Sequence, residues 1–214
     1  MLHFLNKRRK KNNSHTIRAI KGENNKIENK GQLLNHNINI NGNNNTIVIK
    51  ENSIIYNVFI KIQGDNHFLE IGANCRINSA ILWMEHTDCV LNIGDFTTIE
   101  QAHIAVTEPN LKVIIGKECM FSDNISIRTS DSHGIFDLQT NKRVNHAKSI
   151  FIGNHVWVGA KATILKGVTI GDDSIVSLGA IVTKDIPKNC VAAGIPAKVI
   201  KKNIYWSREL ESNK

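Results

Sequence analysis

The stretch IGNHVWVGAKATILKGVTIGDDSIVSLGAIVTKDIP, residues 152–187, decides the fold. An aliphatic residue recurs in it at every sixth position, at Ile152, Val158, Ile164, Ile170, Val176 and Val182. A period of six is too long for a strand and differs from the roughly 3.6 residues of a helical turn, so the stretch is a hexapeptide repeat. Small or β-branched residues stand two positions before the aliphatic ones, at Val156, Ala162, Val168, Ser174 and Ala180. The pattern predicts a triangular coil with the aliphatic residue inside each flat side and the smaller residue beside the corner.

Looser repeats precede this stretch. Ile-Gly pairs begin at Ile71, Ile93 and Ile115, 22 residues apart, and three clusters rich in Asn and Gly resemble one another: 21–27, 41–47 and 63–69. Asn and Gly tolerate left-handed backbone conformations, so each cluster suits a tight corner between short strands. Three hexapeptides make 18 residues, and we expect the four extra residues of each early coil to form a protruding turn. Residues 133–149 lack the hexad and are predicted to form a loop that leaves the coil.

The composition favours one domain in a reducing compartment. The chain has 214 residues and a formal net charge of +8. The chain has four cysteines: Cys75, Cys89, Cys119 and Cys190. They form no C-x-x-C pair and have no histidines at metal-ligand spacing, so we interpret them as packed thiols without a metal. The N-terminal apolar residues precede the basic ones, the reverse of a secretory signal, and no run is long enough to span a bilayer. We therefore expect a cytoplasmic protein.

The predicted organisation has three parts. Residues 1–15 form a basic tail, residues 16–187 the repeat domain, and residues 188–214 a C-terminal extension with a short helix from Tyr205 to Glu211. The tail holds five consecutive cations, Lys7 to Lys11, which would attract a polyanionic glycan, nucleic acid or, weakly, an anionic membrane surface. A solvated tail without a partner is the alternative. No P-loop, zinc-finger spacing or RNA-binding motif is present in the sequence, so we expect no nucleic-acid partner.

One histidine stands out among nine. His133 lies where the repeat gives way to the loop, and functional side chains concentrate on loops held by rigid scaffolds. A neutral imidazole can take a proton near pH 7. His133 is therefore a candidate general base, although a histidine that only pins the loop has the same spacing. The roles of His146 and His155 stay open.

The segment VWVGAKATILKGVTIGDDSIVSLGAIVTKDIP, followed by AAGIPAKVI and preceded by SDSH at 130–133, resembles the hexapeptide-repeat acyltransferases. The branch it resembles most acetylates bacterial capsular polysaccharides, including polysialic acid. The resemblance implies an all-β, left-handed parallel β-helix and acetyl-CoA as the donor, with no metal. It also implies that His133 is catalytic and that Trp157 cooperates with it; a tryptophan that only packs between subunits is the alternative.

The resemblance further implies where coenzyme A binds. The expected contacts are Gly159, Ala160, Leu178, Ala180, Thr183, Lys184, Lys198 and Lys201. Lys201 matches a basic residue near the 3′-phosphate that is arginine in many members, so phosphate recognition here is expected to be less bidentate. A slot needs two walls, and a single prism supplies one; an identical neighbour in a homotrimer would supply the other.

The sequence thus favours an O-acetyltransferase acting on a hydroxyl of an acidic surface polysaccharide. Two alternatives remain at this point. The same scaffold could acetylate a small acceptor such as an antibiotic, serine or an amino sugar. A hexapeptide solenoid also occurs in proteins without catalysis, so a polyanion-binding module is the other alternative.

Overall fold

The computed structural model describes residues 17–210 and contains 24 β-strands within them. The first four coils comprise β1 (Ile17–Lys21), β2 (Lys26–Asn29), β3 (Gln32–Leu34), β4 (Asn37–Asn41), β5 (Thr46–Ile49), β6 (Ile54–Tyr56), β7 (Phe59–Asp65), β8 (Phe68–Ile71), β9 (Arg76–Asn78), β10 (Ala80–Thr87), β11 (Val90–Ile93) and β12 (Thr98–Ile99). The later coils comprise β13 (Ala102–Val106), β14 (Lys112–Ile115), β15 (Met120–Phe121), β16 (Ile125–Arg128), β17 (Ile150–Ile152), β18 (Trp157–Val158), β19 (Thr163–Ile164), β20 (Thr169–Ile170), β21 (Ile175–Val176), β22 (Ile181–Val182), β23 (Cys190–Ala193) and β24 (Lys198–Lys202).

Three stacked sheets form the sides of a triangular prism. Face A contains the first strand of each coil, from β1 to β22, and has eight strands. Face B contains the second strands, from β2 to β20, and face C the third strands, from β3 to β23 with β24 at its end. Neighbouring strands pair in parallel except for β24, which is antiparallel to β23. The predicted all-β parallel β-helix is confirmed.

The hexad residues fill the interior as predicted. In residues 152–187, the aliphatic residue at every sixth position is at most 3% exposed. The smaller residue that stands two positions before it is equally buried. Small polar groups at one interior corner join successive coils: the Ser53 hydroxyl donates to the Gly72 carbonyl (2.6 Å) and accepts from the Cys75 amide (3.0 Å). Such internal pairing removes the cost of burying these polar groups. All four cysteines are free and buried.

The prediction of protruding turns in the early coils was wrong. The extra residues instead lengthen face A, where β7 has seven residues and β10 has eight, compared with two in β19. The long strands stay in register with one another, since Ile81 to Thr87 pair with Phe59 to Asp65. Their corners are closed by residues such as Asn44 and Asn66, whose φ angles of 56° and 60° lie in the left-handed region that asparagine tolerates.

The C-terminal segment differs from its prediction. Parallel pairing continues past residue 187 through β23, and β24 then turns back along it. The predicted helix from Tyr205 is wrong, because residues 205–210 have no helical structure. Residues 203–210, here the C-terminal strap, lie on face C: Arg208 donates to the Thr98 hydroxyl (3.1 Å) and to the Cys119 carbonyl (3.2 Å). These contacts override the weak local helical pattern. The predicted basic tail, residues 1–15, lies outside the described residues.

Candidate functional site

The loop that carries His133 leaves the prism at the corner between faces A and B. It connects β16 to β17, and its only regular pairing is a bridge between Phe136 and Arg143. Residues 131–142, including His133, are exposed. The interruption of the repeat therefore lies where the sequence predicted it.

Asn145 holds the backbone around His133. Its side chain, in a residue only 9% exposed, donates to the His133 carbonyl (2.8 Å) and to the Asp131 carboxylate (2.8 Å), and it accepts from the Ile135 amide (2.7 Å). One side chain thus bonds to positions on both sides of His133 and to His133 itself. A loop fixed in this way can present an imidazole in a defined position.

Two ion pairs anchor this loop to the prism. The Arg143 guanidinium donates to both carboxylate oxygens of Glu108 (2.8 and 2.5 Å), a bidentate arrangement, and holds the pKa of Glu108 at about 2. The Lys166 ammonium bonds to Asp131 and, at 3.1 Å, to the Asn145 carbonyl. The hydrogen bond from Lys166, and to a smaller extent the one from Asn145, holds the pKa of Asp131 below its usual value. The loop is therefore tied to the coil before it and the coil after it.

A cleft of about 510 Å³ lies beside this loop. Ser132 and Gly134, which flank His133, belong to its lining. The full lining is Glu85, His86, Thr107, Glu108, Pro109, Ser130, Ser132, Gly134, Phe136 and Arg143. The cleft has the size of a small-ligand site and borders the candidate base.

Trp157 lies on face C in an aromatic group. Its ring is 36% exposed and lies 5.9 Å, centroid to centroid, from the ring of Trp206 in the strap. Trp206 is 6% exposed, stacks on His155 at 4.1 Å and donates to the His155 carbonyl (2.7 Å). His155 in turn bonds to Asp173 (2.9 Å). The His155 side chain is thus engaged in supporting Trp206, which answers the question that the sequence left open.

The structure places the predicted coenzyme A contacts in three regions. Gly159, Ala160 and Leu178 lie at the corner between faces C and A, where Gly179 donates to the Ala160 carbonyl (2.8 Å). A Cβ on Gly159 would lie 2.7 Å from the Leu178 amide nitrogen, so these two coils approach each other closely there. Leu178 is 73% exposed, whereas Ala180 is fully buried. The Ala180 amide donates to the Ser177 carbonyl (3.2 Å), and its carbonyl accepts from the Thr163 amide (2.9 Å).

The remaining predicted contacts lie elsewhere. Thr183 and Lys184 follow β22 at the corner between faces A and B, the corner from which the His133 loop leaves. Lys198 and Lys201 lie on β24 at the end of face C, and all four side chains are exposed. One chain thus has exposed apolar and cationic groups near the end of the prism, which are the groups that a pantetheine arm and phosphates require. Within one chain these groups do not form a single pocket.

His133 and Trp157 are not brought together within one chain. The His133 loop leaves the prism at the corner between faces A and B, and face C, which carries Trp157, is the side opposite that corner. The two regions also have different neighbours: Glu108 and Lys166 bond to the loop, and Trp206 packs on Trp157.

Other sequence predictions concern residues away from the loop. Across residues 17–210, no group of three or more His, Cys, Asp and Glu side chains is arranged to hold a metal. In the same range, no helix has the length and hydropathy needed to cross a membrane. His146 is exposed on the loop. Burial raises the pKa of the Cys89 and Cys119 thiols to about 11, so neither is a reactive thiolate near neutral pH.

Sequence reasoning missed three residues: Asn145, Glu108 and Trp206. Each acts through a partner that is distant in the sequence, for example Glu108 through Arg143, 35 residues later. The hexad predicts which residues point inward, and none of these three is a hexad position. The loop composition offered one weak signal, since Asn145 stands between Arg143 and His146 in a segment without apolar periodicity.

The chain is similar to several known proteins. Residues 149–184 match the family described as bacterial transferase hexapeptide (six repeats). The chain is 37% identical over 170 residues to a polysialic acid O-acetyltransferase of Neisseria meningitidis, covering 79% of this chain and 78% of the relative. It is 40% identical over 141 residues to one of Escherichia coli O1:K1, but that match spans only 45% of the relative's length.

Two solved structures are also similar. The polySia-specific acetyltransferase NeuO has a TM-score of 0.83 at 35% identity, covering 93% of this chain and 92% of that one. The polysialic acid O-acetyltransferase OatWY has a TM-score of 0.84 at 34% identity, with coverage of 92% and 94%. Sequence identity above 30% over most of both chains, together with the same fold, shows that the proteins belong to one family. The chain belongs to the hexapeptide-repeat acetyltransferases.

Proposed function

We propose that the protein transfers the acetyl group of acetyl-CoA to a hydroxyl of an acidic bacterial polysaccharide, with polysialic acid as the first candidate. The observation that carries this proposal is the similarity, over more than nine-tenths of each chain, to two structures named as polysialic acid acetyltransferases. The candidate base His133 lies beside a cleft on a loop held by Asn145 and Arg143, which supports the same conclusion.

His133 is the proposed general base. Acetyl-CoA supplies the acetyl group as a thioester. The neutral imidazole takes the proton of the acceptor hydroxyl while the hydroxyl oxygen bonds to the acetyl carbon. The carbon–sulfur bond then breaks, and the proton on the imidazole neutralises the departing thiolate. The indole nitrogen of Trp157, which can only donate, is suited to orient the acetyl carbonyl.

The proposed donor contacts are the eight residues near the end of the prism. Leu178 and the close approach at Gly159 suit the pantetheine arm, and Lys198 and Lys201 suit the phosphates as point charges. Ala180, which is buried and has both backbone groups bonded within the chain, would lie behind this surface and support it. Thr183 and Lys184 would contact the part of the donor nearest the His133 loop.

A homotrimer is the proposed assembly. Since His133 and Trp157 lie on opposite sides of one prism, a shared site needs the loop of one chain against face C of another. A threefold axis provides three identical contacts of this kind. The outer surface of face A supports an interface, because Ile81 is 41% exposed there beside the stacked rings of Trp83 and His103. We place the enzyme in the cytoplasm, where its four buried thiols would stay reduced.

An acceptor test by mass spectrometry checks this function. With acetyl-CoA present, polysialic acid should gain acetyl groups, and His133→Ala should lose about 10²- to 10⁴-fold in kcat while it still binds coenzyme A. Acetylation of an antibiotic, serine or an amino sugar in preference to any sialic acid polymer would replace the proposed acceptor. Turnover by His133→Ala at the wild-type rate would remove His133 as the base.

A further inference from the structure

The cleft beside His133 carries more negative than positive charge. Glu85 and Glu108 contribute two carboxylates to its lining, and Arg143 contributes one guanidinium. Arg143 holds the pKa of Glu108 at about 2, so this carboxylate is ionised at neutral pH. Taken without their partners, the adjacent Lys142 and Arg143 of this loop would favour an acidic acceptor.

Most of the donors of Arg143 are already engaged. Its Nη1 and Nη2 donate to the two oxygens of Glu108, Nη2 also donates to the Asn145 carbonyl (3.3 Å), and Nε donates to the Asn145 side chain (3.1 Å). A guanidinium has five N–H donors, and four of them are used here. A carboxylate of the acceptor could form a bidentate pair with Arg143 only by displacing Glu108, which would leave Glu108 without its ion-pair partner in a partly buried place.

The cleft suits a hydroxyl-bearing group instead. The carboxylates of Glu85 and Glu108 can accept bonds from hydroxyl groups, and Ser130, which donates to Glu108 at 2.7 Å, extends this polar wall. Phe136, 56% exposed, provides an apolar surface in the same lining. Hydrogen-bonding side chains beside one aromatic face suit a ligand that has many hydroxyl groups and an apolar side.

We propose that the cleft receives the reacting sugar by an uncharged, polyhydroxyl part and leaves the carboxylate of that sugar outside. This inference rests on the proposed function and specifies which side of the acceptor faces His133. It also implies that Glu108 and Glu85 select the uncharged part of the sugar over its carboxylate. Any attraction of a long acidic polymer must then come from cations elsewhere, such as the basic segment from Lys7 to Lys11.

Monosaccharide acceptors test the inference, because they avoid long-range attraction of a polymer. The methyl glycoside of sialic acid and the methyl ester of this glycoside differ at one group, which is a carboxylate in the first and an uncharged ester with one more methyl in the second. The wild-type enzyme should acetylate the ester with a kcat/KM about fivefold or more above that of the free acid, as repulsion between nearby carboxylates predicts. Glu108→Gln, which leaves Arg143 without its partner, should lower this ester-to-acid ratio by about tenfold or more.

Two further variants complete the design. Glu85→Gln leaves the Glu108–Arg143 pair intact and should lower the ratio in the same direction, which keeps the test valid if Glu108→Gln does not fold. Glu51→Gln removes an exposed carboxylate from an early coil and should leave the ratio unchanged. A wild-type preference for the free acid, or a ratio that neither cleft variant lowers, would overturn the inference. Failure to acetylate both sugars and polysialic acid would overturn the proposed function itself.

Discussion

The side chain of Asn145 donates a 2.8 Å hydrogen bond to the main-chain carbonyl of His133. The same amide group bonds to Asp131 and Ile135, so a single side chain fixes both flanks of the proposed base. Positioning of a base to within a fraction of an ångström strongly affects catalysis. Asn145 is therefore a positioning residue, and it would act through His133.

Asn145→Ala should lower kcat by about 10-fold to 100-fold, since misplacement of a catalytic group has effects of that order. The KM for acetyl-CoA should change little, because the predicted donor contacts lie on other elements. Steady-state kinetics with varied donor separates the two constants. Gln139→Ala, at an exposed position of the same loop, is the matched control and should retain wild-type kcat. Equal losses in both variants would indicate a general effect on the loop.

The Glu108–Arg143 pair predicts a pH dependence of stability. The pKa of Glu108 is about 2 in the folded chain, below its ordinary value of 4.5, because Arg143 stabilises the carboxylate. The stabilisation is complete above pH 4.5 and is lost as the pH falls towards 2, since the unfolded chain takes up this proton first. The difference in free energy of unfolding between the wild type and Glu108→Gln should shrink across that range in chemical denaturation. A difference independent of pH would contradict the assignment.

The strap should influence the donor through Trp157. Trp206→Ala removes the ring that lies 5.9 Å from Trp157, and it should raise the KM for acetyl-CoA, as we also expect of Trp157→Ala. The effects of substituting two residues in contact are generally not additive, so the double variant should resemble the Trp157 single variant. Kinetics on the three variants measures this coupling. Leu210→Ala, at a fully exposed position of the strap, is the control. Additive losses in the double variant would show that Trp206 acts independently.

Much of the fold could be predicted from the sequence, because the interior of a coil is specified locally. Ile164 and Val176, for example, are buried since every sixth residue reaches the inside of the prism. The early coils were less predictable: an insertion can lengthen a strand or form a turn, and the pairing of β7 with β10, which decides between them, joins residues 22 positions apart. The strap was missed for the same reason, as Arg208 bonds to Thr98, 110 residues earlier.

Residues of the candidate site could be predicted only where the type of side chain indicated a chemical role. His133 stood out because imidazole is a base near neutral pH and the repeat ends there. The ion pair of Arg143 could not be predicted, since its partner Glu108 lies in the preceding coil and no local pattern connects the two. Charges in a solenoid are paired between coils, and the sequence does not show which of them meet.

The basic segment from Lys7 to Lys11 predicts a preference for long acidic acceptors. Cations raise the local concentration of a polyanion, and this attraction is screened beyond about 8 Å at physiological ionic strength. At low salt, kcat/KM should therefore be higher for polysialic acid than for its monosaccharide, and added salt should reduce the advantage. Replacing the five cations by glutamine should reduce it without affecting the monosaccharide. Equal kcat/KM for polymer and monosaccharide at low salt would exclude this role.

A subunit-mixing measurement tests most directly whether His133 and Trp157 of neighbouring chains form one active site. His133→Ala and Trp157→Ala should each be nearly inactive alone. When equal amounts are unfolded together and refolded, random trimers should recover about a quarter of wild-type activity, because one interface in four then joins an intact histidine to an intact tryptophan. Acetyl transfer to polysialic acid gives the readout. Recovery near that level supports the shared site, whereas a mixture no more active than the sum of its two components would contradict it.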